Sequence, residues 1–131
     1  MAIAVTSAGL AVILAIASVI LAVIGTRMER GELPPNSAAG VRTERAFRSR
    51  EDWYAVQEHA APMVIALAVA WFDTAILFGI QFVYHDAIPF LVPFGVFLLQ
   101  SVVGIVGIYR WAARAPRAAD HPSGPRADSV S

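Results

Sequence analysis

From Ala2 to Thr26 the chain carries no charged side chain, and nearly every residue is Ala, Val, Ile or Leu. About 20 helical residues cross a hydrocarbon core of about 30 Å, so this run alone asks for lipid as its solvent. Two more apolar runs follow, from Ala61 to Tyr84 and from Ala87 to Tyr109. In lipid an unpaired backbone N–H or C=O has no water to bond, which leaves the α-helix as the conformation for each run. The fold class expected is all-α: an integral membrane three-helix bundle with an ordered cytoplasmic loop and a short interfacial helix. Transmembrane helix 1 takes residues 1–26, the loop 27–60, helix 2 61–84, helix 3 87–109, and a disordered tail 110–131. A secretory signal peptide is the competing reading of the first run, but it wants a basic segment ahead of a shorter apolar stretch. Here Arg27 and Arg30 come after the run, as suits an uncleaved anchor.

Charge placement gives direction. All ten basic residues are arginine. Arg27, Arg30, Arg42, Arg45, Arg48 and Arg50 lie between the first two runs, and Arg110, Arg114, Arg117 and Arg126 follow the third. With three crossings both sets fall on one side, which the positive-inside rule makes cytoplasmic. The expectation is a multi-pass plasma-membrane protein with its N-terminus outside and its C-terminus in the cytoplasm. Trp53, Tyr54, Tyr109 and Trp111 then fall near the inner interface and Tyr84 near the outer one, where amphipathic rings settle.

Within the spans, Ala4, Ala8, Ala11, Ala15, Ser18, Ala22 and Gly25 form a small-residue seam at alternating spacings of four and three. Such a seam lets another helix approach closely, in the same chain or in another copy. Ser101, Gly104 and Gly107 offer the third run a similar approach. Pro89 falls where the third helix would begin, and Pro93 is expected to bend it one turn further in. Asp73 and Gln100 are the polar residues at depth, about 20 Å and about 14 Å from the cytoplasmic ends of their antiparallel spans at 1.5 Å per residue. They form a candidate intramembrane polar pair. A carboxyl there is costly unless paired or protonated. The preferred reading is interhelical glue, a protonated Asp73 bonded to Gln100 or Thr74. A proton-sensitive site or a ligand contact in the bundle is the alternative.

The loop is the most informative segment. Leu33-Pro34-Pro35-Asn36 forces an extended start, and Gly40 permits a turn that other residues resist. Thr43 and Ser49 are each placed to cap a short helix, and Glu51 and Asp52 suit the positive end of the helix that follows Ser49. From Arg50 to Ala60 the chain reads as the interfacial helix, with Trp53 and Val56 toward the acyl chains. Pro62 is expected to break it from helix 2.

The order Asn36-x-x-x-Gly40-x-Arg42-Thr43, with Trp53 ten residues on and a span behind it, resembles the SdpI family of bacterial membrane proteins, whose signature is an N-x-x-x-G-x-R-T loop followed by a tryptophan. The resemblance covers Met28 to Tyr109. It implies immunity against a secreted toxic peptide that attacks the membrane. It also makes Asn36, Gly40, Arg42, Thr43, Trp53 and His59 candidates for binding a ligand or partner. Family members often carry Asn or His four or five residues after the tryptophan, and Gln57 and His59 are the approximate counterparts here. Each motif residue also has a plainer reading. The arginines meet anionic headgroups, at about 1 kcal/mol each, Trp53 anchors at the interface, and Asn36, Gly40 and Thr43 fix the loop backbone.

No enzyme constellation is present. There is no cysteine, no glycine-rich phosphate loop, and no serine beside a histidine base. His59, His85 and His121 are scattered, with His85 across the membrane from the other two, so no metal site is expected. The arginines alternate with acidic residues, which disfavours nucleic acid. The chain is expected to be a non-enzyme without cofactor. Its partners would be the lipid bilayer, a membrane-active peptide, and either further copies of itself or a larger membrane complex. The leading function is immunity, by binding the peptide or shielding its target. The alternative is a small accessory or structural subunit of a larger complex, and a proton-coupled carrier using Asp73 ranks third.

Overall fold

A computed structural model describes residues 2–116. Helix α1 spans Ala2–Glu29, α2 Arg50–Val83 and α3 Leu91–Ala113, with a 3-10 turn at Arg45–Phe47 and no strand among the described residues. Each helix is long and apolar enough to cross a membrane. The protein is an all-α, integral membrane three-helix bundle.

The small-residue seam of α1 faces α2 of the same chain. Ala4, Ser18 and Gly25 are buried and Ala8, Ala11, Ala15 and Ala22 half-buried, whereas Ile3, Val12, Ile13, Ile16, Val19, Ile20 and Val23 are all exposed. Small residues face protein and branched ones face lipid, because tails are as apolar as side chains and close backbone approach drives association. At Gly25 an added Cβ would stand 2.7 Å from Ile65 Cγ1 and 3.3 Å from the Ile65 backbone nitrogen. Helix α1 runs one turn past residue 26, to a stop made by Gly31. At φ +67°, Gly31 lets its own N–H reach the Met28 carbonyl at 3.2 Å and that of Glu32 reach Arg27 at 2.8 Å, which satisfies two carbonyls of the last turn.

Helix α2 is one unbroken element of 34 residues, about 51 Å long. The separate interfacial helix is therefore corrected: Arg50–Ala60 forms the first three turns of α2. Pro62 lies inside the helix without ending it. Its ring sits on the exposed side, over the Glu58 carbonyl that loses a donor, while the opposite face buries Trp53, Val56, Gln57 and Ala60. A helix-interior proline costs about 3 kcal/mol, and burial of that face offsets it. Ser49 caps the start, its hydroxyl accepting from Asp52 N–H at 3.0 Å.

The connector to α3 is longer than expected, from Tyr84 to Phe90. Ala87 and Ile88 both donate to the Tyr84 carbonyl at 2.9 Å, and Gln81 Nε2 donates to the Ile88 carbonyl at 3.0 Å. That holds residues 87–90 outside the helix. Pro93 consequently falls in the first turn of α3, where no N–H has an intrahelical acceptor, so the expected bend one turn in has no cause. Residues 110–113 belong to α3. The Arg45 guanidinium donates to the Ala115 carbonyl and, at 2.6 Å, to that of Pro116, so the segment expected as a disordered tail begins ordered. The remainder of that tail, with Arg117, His121 and Arg126, lies outside the described residues.

Helix α2 is the centre of the bundle. Both α1 and α3 pack along it, and no Cα of α1 comes within 8 Å of one in α3. Toward the connector end, Leu14, Ala75 and Phe78 form a buried cluster, and the Ser7 hydroxyl donates to Gln81 Oε1. A larger cluster lies toward the arginine-bearing end, joining Met28, Leu33 and Val41 to Trp53, Val56 and Val64.

Candidate functional site

Because α1 and α3 stand apart on α2, a cleft of about 240 Å³ opens between them. Leu21 and Ile24 line one wall, Leu67 and Trp71 the base, and Ile105 and Ile108 the other wall. Gly40 and Val41 close it at the arginine-bearing end. The lining is almost wholly apolar, as suits a site that holds a hydrocarbon surface. The walls keep their spacing through α2: Gly104 lets Leu67 approach, where an added Cβ would stand 2.5 Å from Leu67 Cδ1, and Trp71 Nε1 donates to Ser101 Oγ at 3.1 Å.

The loop that closes the cleft is built by the motif residues. Asn36 Oδ1 accepts from the N–H groups of Ala38 and Ala39 at 2.8 and 2.7 Å, and its Nδ2 donates to the Pro34 carbonyl at 2.7 Å. An asparagine side chain that mimics a backbone turn in this way fixes the segment after the prolines. Gly40, at φ +105°, carries the chain past α2 so closely that a Cβ would stand 2.9 Å from Gln57 Oε1 and 3.2 Å from Trp53 Cζ2. Thr43 Oγ1 accepts from Ala46 N–H at 3.2 Å and starts the 3-10 turn. Arg42 is exposed, with Nη2 at 3.5 Å from the Asn36 carbonyl.

Trp53 does not face acyl chains. It is wholly buried, and its Nε1–H donates to the Leu33 carbonyl at 2.8 Å. The physical reason is that the loop folds back over the first turns of α2, so the face that seemed free to meet lipid is covered by protein. Gln57, four residues on and therefore on the same face, is buried as well. It binds the backbone of Val41 with both ends of its amide, at 2.8 Å each. The structure thus brings Asn36, Gly40, Thr43, Trp53 and Gln57 into one assembly. His59 lies outside it, on the α3 side, stacked on Trp111 with ring centroids 5.4 Å apart. Arg114 lies over the same Trp111 ring at 5.9 Å.

Asp73 and Gln100 line one groove between α2 and α3, but Gln100 bonds elsewhere: its Oε1 accepts from the Thr74 hydroxyl. Thr74 is buried and Asp73 exposed, since adjacent residues on a helix are 100° apart and only one can face α3. At a helix centre in the bilayer an aspartate costs about 2.5–3.5 kcal/mol on insertion scales. Among the described residues no three His, Asp or Glu side chains converge as a metal site requires.

Sequence reasoning missed Gln81, Arg45 and the main part played by Gln57. The spacing Trp53, Gln57, Ala60, Val64 is a helical stripe and pointed to one face, but the assumed break at Pro62 divided it.

Comparison with known proteins gives a family. Neither curated proteins nor solved structures provide a match. The model of the SdpI/YfhL protein family matches residues 32–109, more than half of the chain. That range runs from the loop through α2 and most of α3, and it takes in every residue of the loop assembly. This chain is a membrane protein of the SdpI/YfhL family.

Proposed function

We propose that the chain is an immunity protein of the plasma membrane, which protects against a toxic membrane-active peptide by holding the peptide's apolar side in the cleft between α1 and α3. Family membership supports a membrane protein of the immunity type in general. The observation that carries the finer reading is the cleft itself: two apolar walls whose backbones stay more than 8 Å apart, an apolar base, and an end closed by the family's loop. Apolar ligands in such sites are bound by the surface they remove from lipid or water and by fit to the walls. Gly40 and Val41 would form the contact from the loop, with Asn36, Trp53 and Gln57 holding them in place. The arginine-bearing end would face the cytoplasm and the Tyr84–Phe90 connector the outside.

The test compares cells with and without the gene, challenged with membrane-active peptides, together with variants that fill the cleft. Leu21→Trp and Ile105→Trp should remove protection while the protein reaches the membrane at its normal level. Equal survival of all strains, or full protection by both filled variants, would overturn the reading.

The small-residue seam of α1, from which a subunit role was argued, is occupied by α2 of the same chain, so no observation favours that second reading over the first.

A further inference from the structure

Asp73 lies on the exposed side of α2, in one row with Val69, Ile76 and Ile80, which are exposed too. It stands midway between Ala61 and Tyr84, the ends of the apolar part of the helix, and so at the middle of the bilayer. No Lys, Arg or His occurs in any of the three apolar runs, and among the described residues no cation pairs with it. A polar side chain at that depth is rarely left to face lipid, because hydrocarbon offers it no hydrogen-bond partner. The groove it lines with Gln100, of about 250 Å³, opens outward between α2 and α3. The Thr74 hydroxyl occupies Gln100 Oε1, and the Gln100 amide N–H groups have no partner among the described residues. A carboxyl and a carboxamide with unpartnered N–H groups thus line one groove on the outward surface of α2 and α3.

We infer that this surface pairs with the same surface of a second copy of the chain. Among the described residues the arginines all lie at one end of the bundle, so every copy inserts the same way round. The closed symmetric pair of such copies has its axis along the bilayer normal. That symmetry preserves depth, and it sets Asp73 of one protomer against Gln100 of the partner subunit, and the reverse. The carboxyl accepts from the amide N–H groups twice over, once on each side of the axis. The surface also allows close approach. Ala66 is exposed and Ala70 half-buried on the same side of α2, two turns and one turn toward the arginine-bearing end, whereas from Val12 to Val23 the exposed residues of α1 are all Ile or Val. The pair leaves the cleft between α1 and α3 open, since Leu67 and Trp71 at its base lie on another face of α2.

The chain has no cysteine, so Asp86→Cys in the exposed connector gives a single labelling site. Energy transfer between donor- and acceptor-labelled copies in lipid vesicles, followed as the protein is diluted in lipid, reads the pairing. Transfer above the random-collision level should persist in Asp73→Asn, which keeps hydrogen-bonding capacity. It should weaken at least tenfold in apparent affinity in Asp73→Leu and in Gln100→Leu. Ala66→Trp, which blocks approach without touching the polar groups, should weaken it equally, and Val19→Trp on the exposed side of α1 should not. Transfer no greater than random collision in the parent protein would overturn the inference, as would pairing by Ala66→Trp or Asp73→Leu as tight as the parent's.

Discussion

Gln57 holds Val41 by both of its backbone groups: the Val41 N–H donates to Gln57 Oε1 and the Val41 carbonyl accepts from Gln57 Nε2, each at 2.8 Å. A carboxamide reads a peptide group in this way because its donor and acceptor are spaced to match. The contact joins the loop to α2 across 16 residues of sequence, at the point where the loop closes the cleft.

Gln57→Leu should therefore loosen the loop. It strips two hydrogen bonds and leaves a buried N–H and C=O without partners, at about 1–3 kcal/mol for each unsatisfied group. Trypsin reports this directly, since Arg42, Arg45 and Arg48 all lie in the loop: cleavage there in open membrane fragments should quicken at least tenfold over the parent.

Gly40→Ala should destabilise the same assembly by about 1–3 kcal/mol, from a left-handed backbone that alanine resists together with a Cβ only 2.9 Å from Gln57 Oε1. A lower unfolding temperature in mild detergent would show it. An unchanged transition would mean that the loop relaxes at no cost.

Trp53→Phe keeps most of the buried ring but removes the Nε1–H bond to Leu33, leaving a buried carbonyl unpaired. The expected loss is about 1–3 kcal/mol. The variant also removes one of three tryptophans. Trp53, wholly buried, should contribute the fluorescence least reached by aqueous quenchers, so its removal should raise the quenchable fraction of what remains.

Gly25→Val should push α1 from α2, because the added Cβ meets the Ile65 backbone as well as its side chain and only the side chain can turn away. Overpacking of a close helix contact costs about 1–3 kcal/mol. The measurement is thermal unfolding in detergent, with Gly9→Val as the control, since at Gly9 an added Cβ meets nothing within 4 Å.

Much of this was legible in the sequence, because a bilayer leaves so few choices. Apolar runs of twenty or more residues give helices, and the sorting of Ile and Val from Ala, Ser and Gly along α1 gave its buried side. The motif residues were found too, though not their task. Trp53 reads as an interface ring when the only surroundings considered are lipid and water. That the loop itself covers it depends on Gly40 and on the Asn36 turn acting together, which spacing does not encode. Pro62 misled for a related reason: a proline ends a helix unless tertiary burial on the opposite face outweighs it, and that burial comes from residues 33–46, distant in sequence. Asp73 was noticed as a polar residue at depth. Its side of the helix was missed because Thr74, one position on, makes the bond expected of it.

No Cα of α1 comes within 8 Å of one in α3, and this sets how the cleft responds to what enters it. Widening the gap breaks no hydrogen bond between the walls among the described residues, since both are carried by α2 and tied at the arginine-bearing end by the loop, whose Arg45 bonds the Ala115 carbonyl. A guest of larger girth can thus be met by swinging a wall outward as a rigid rod.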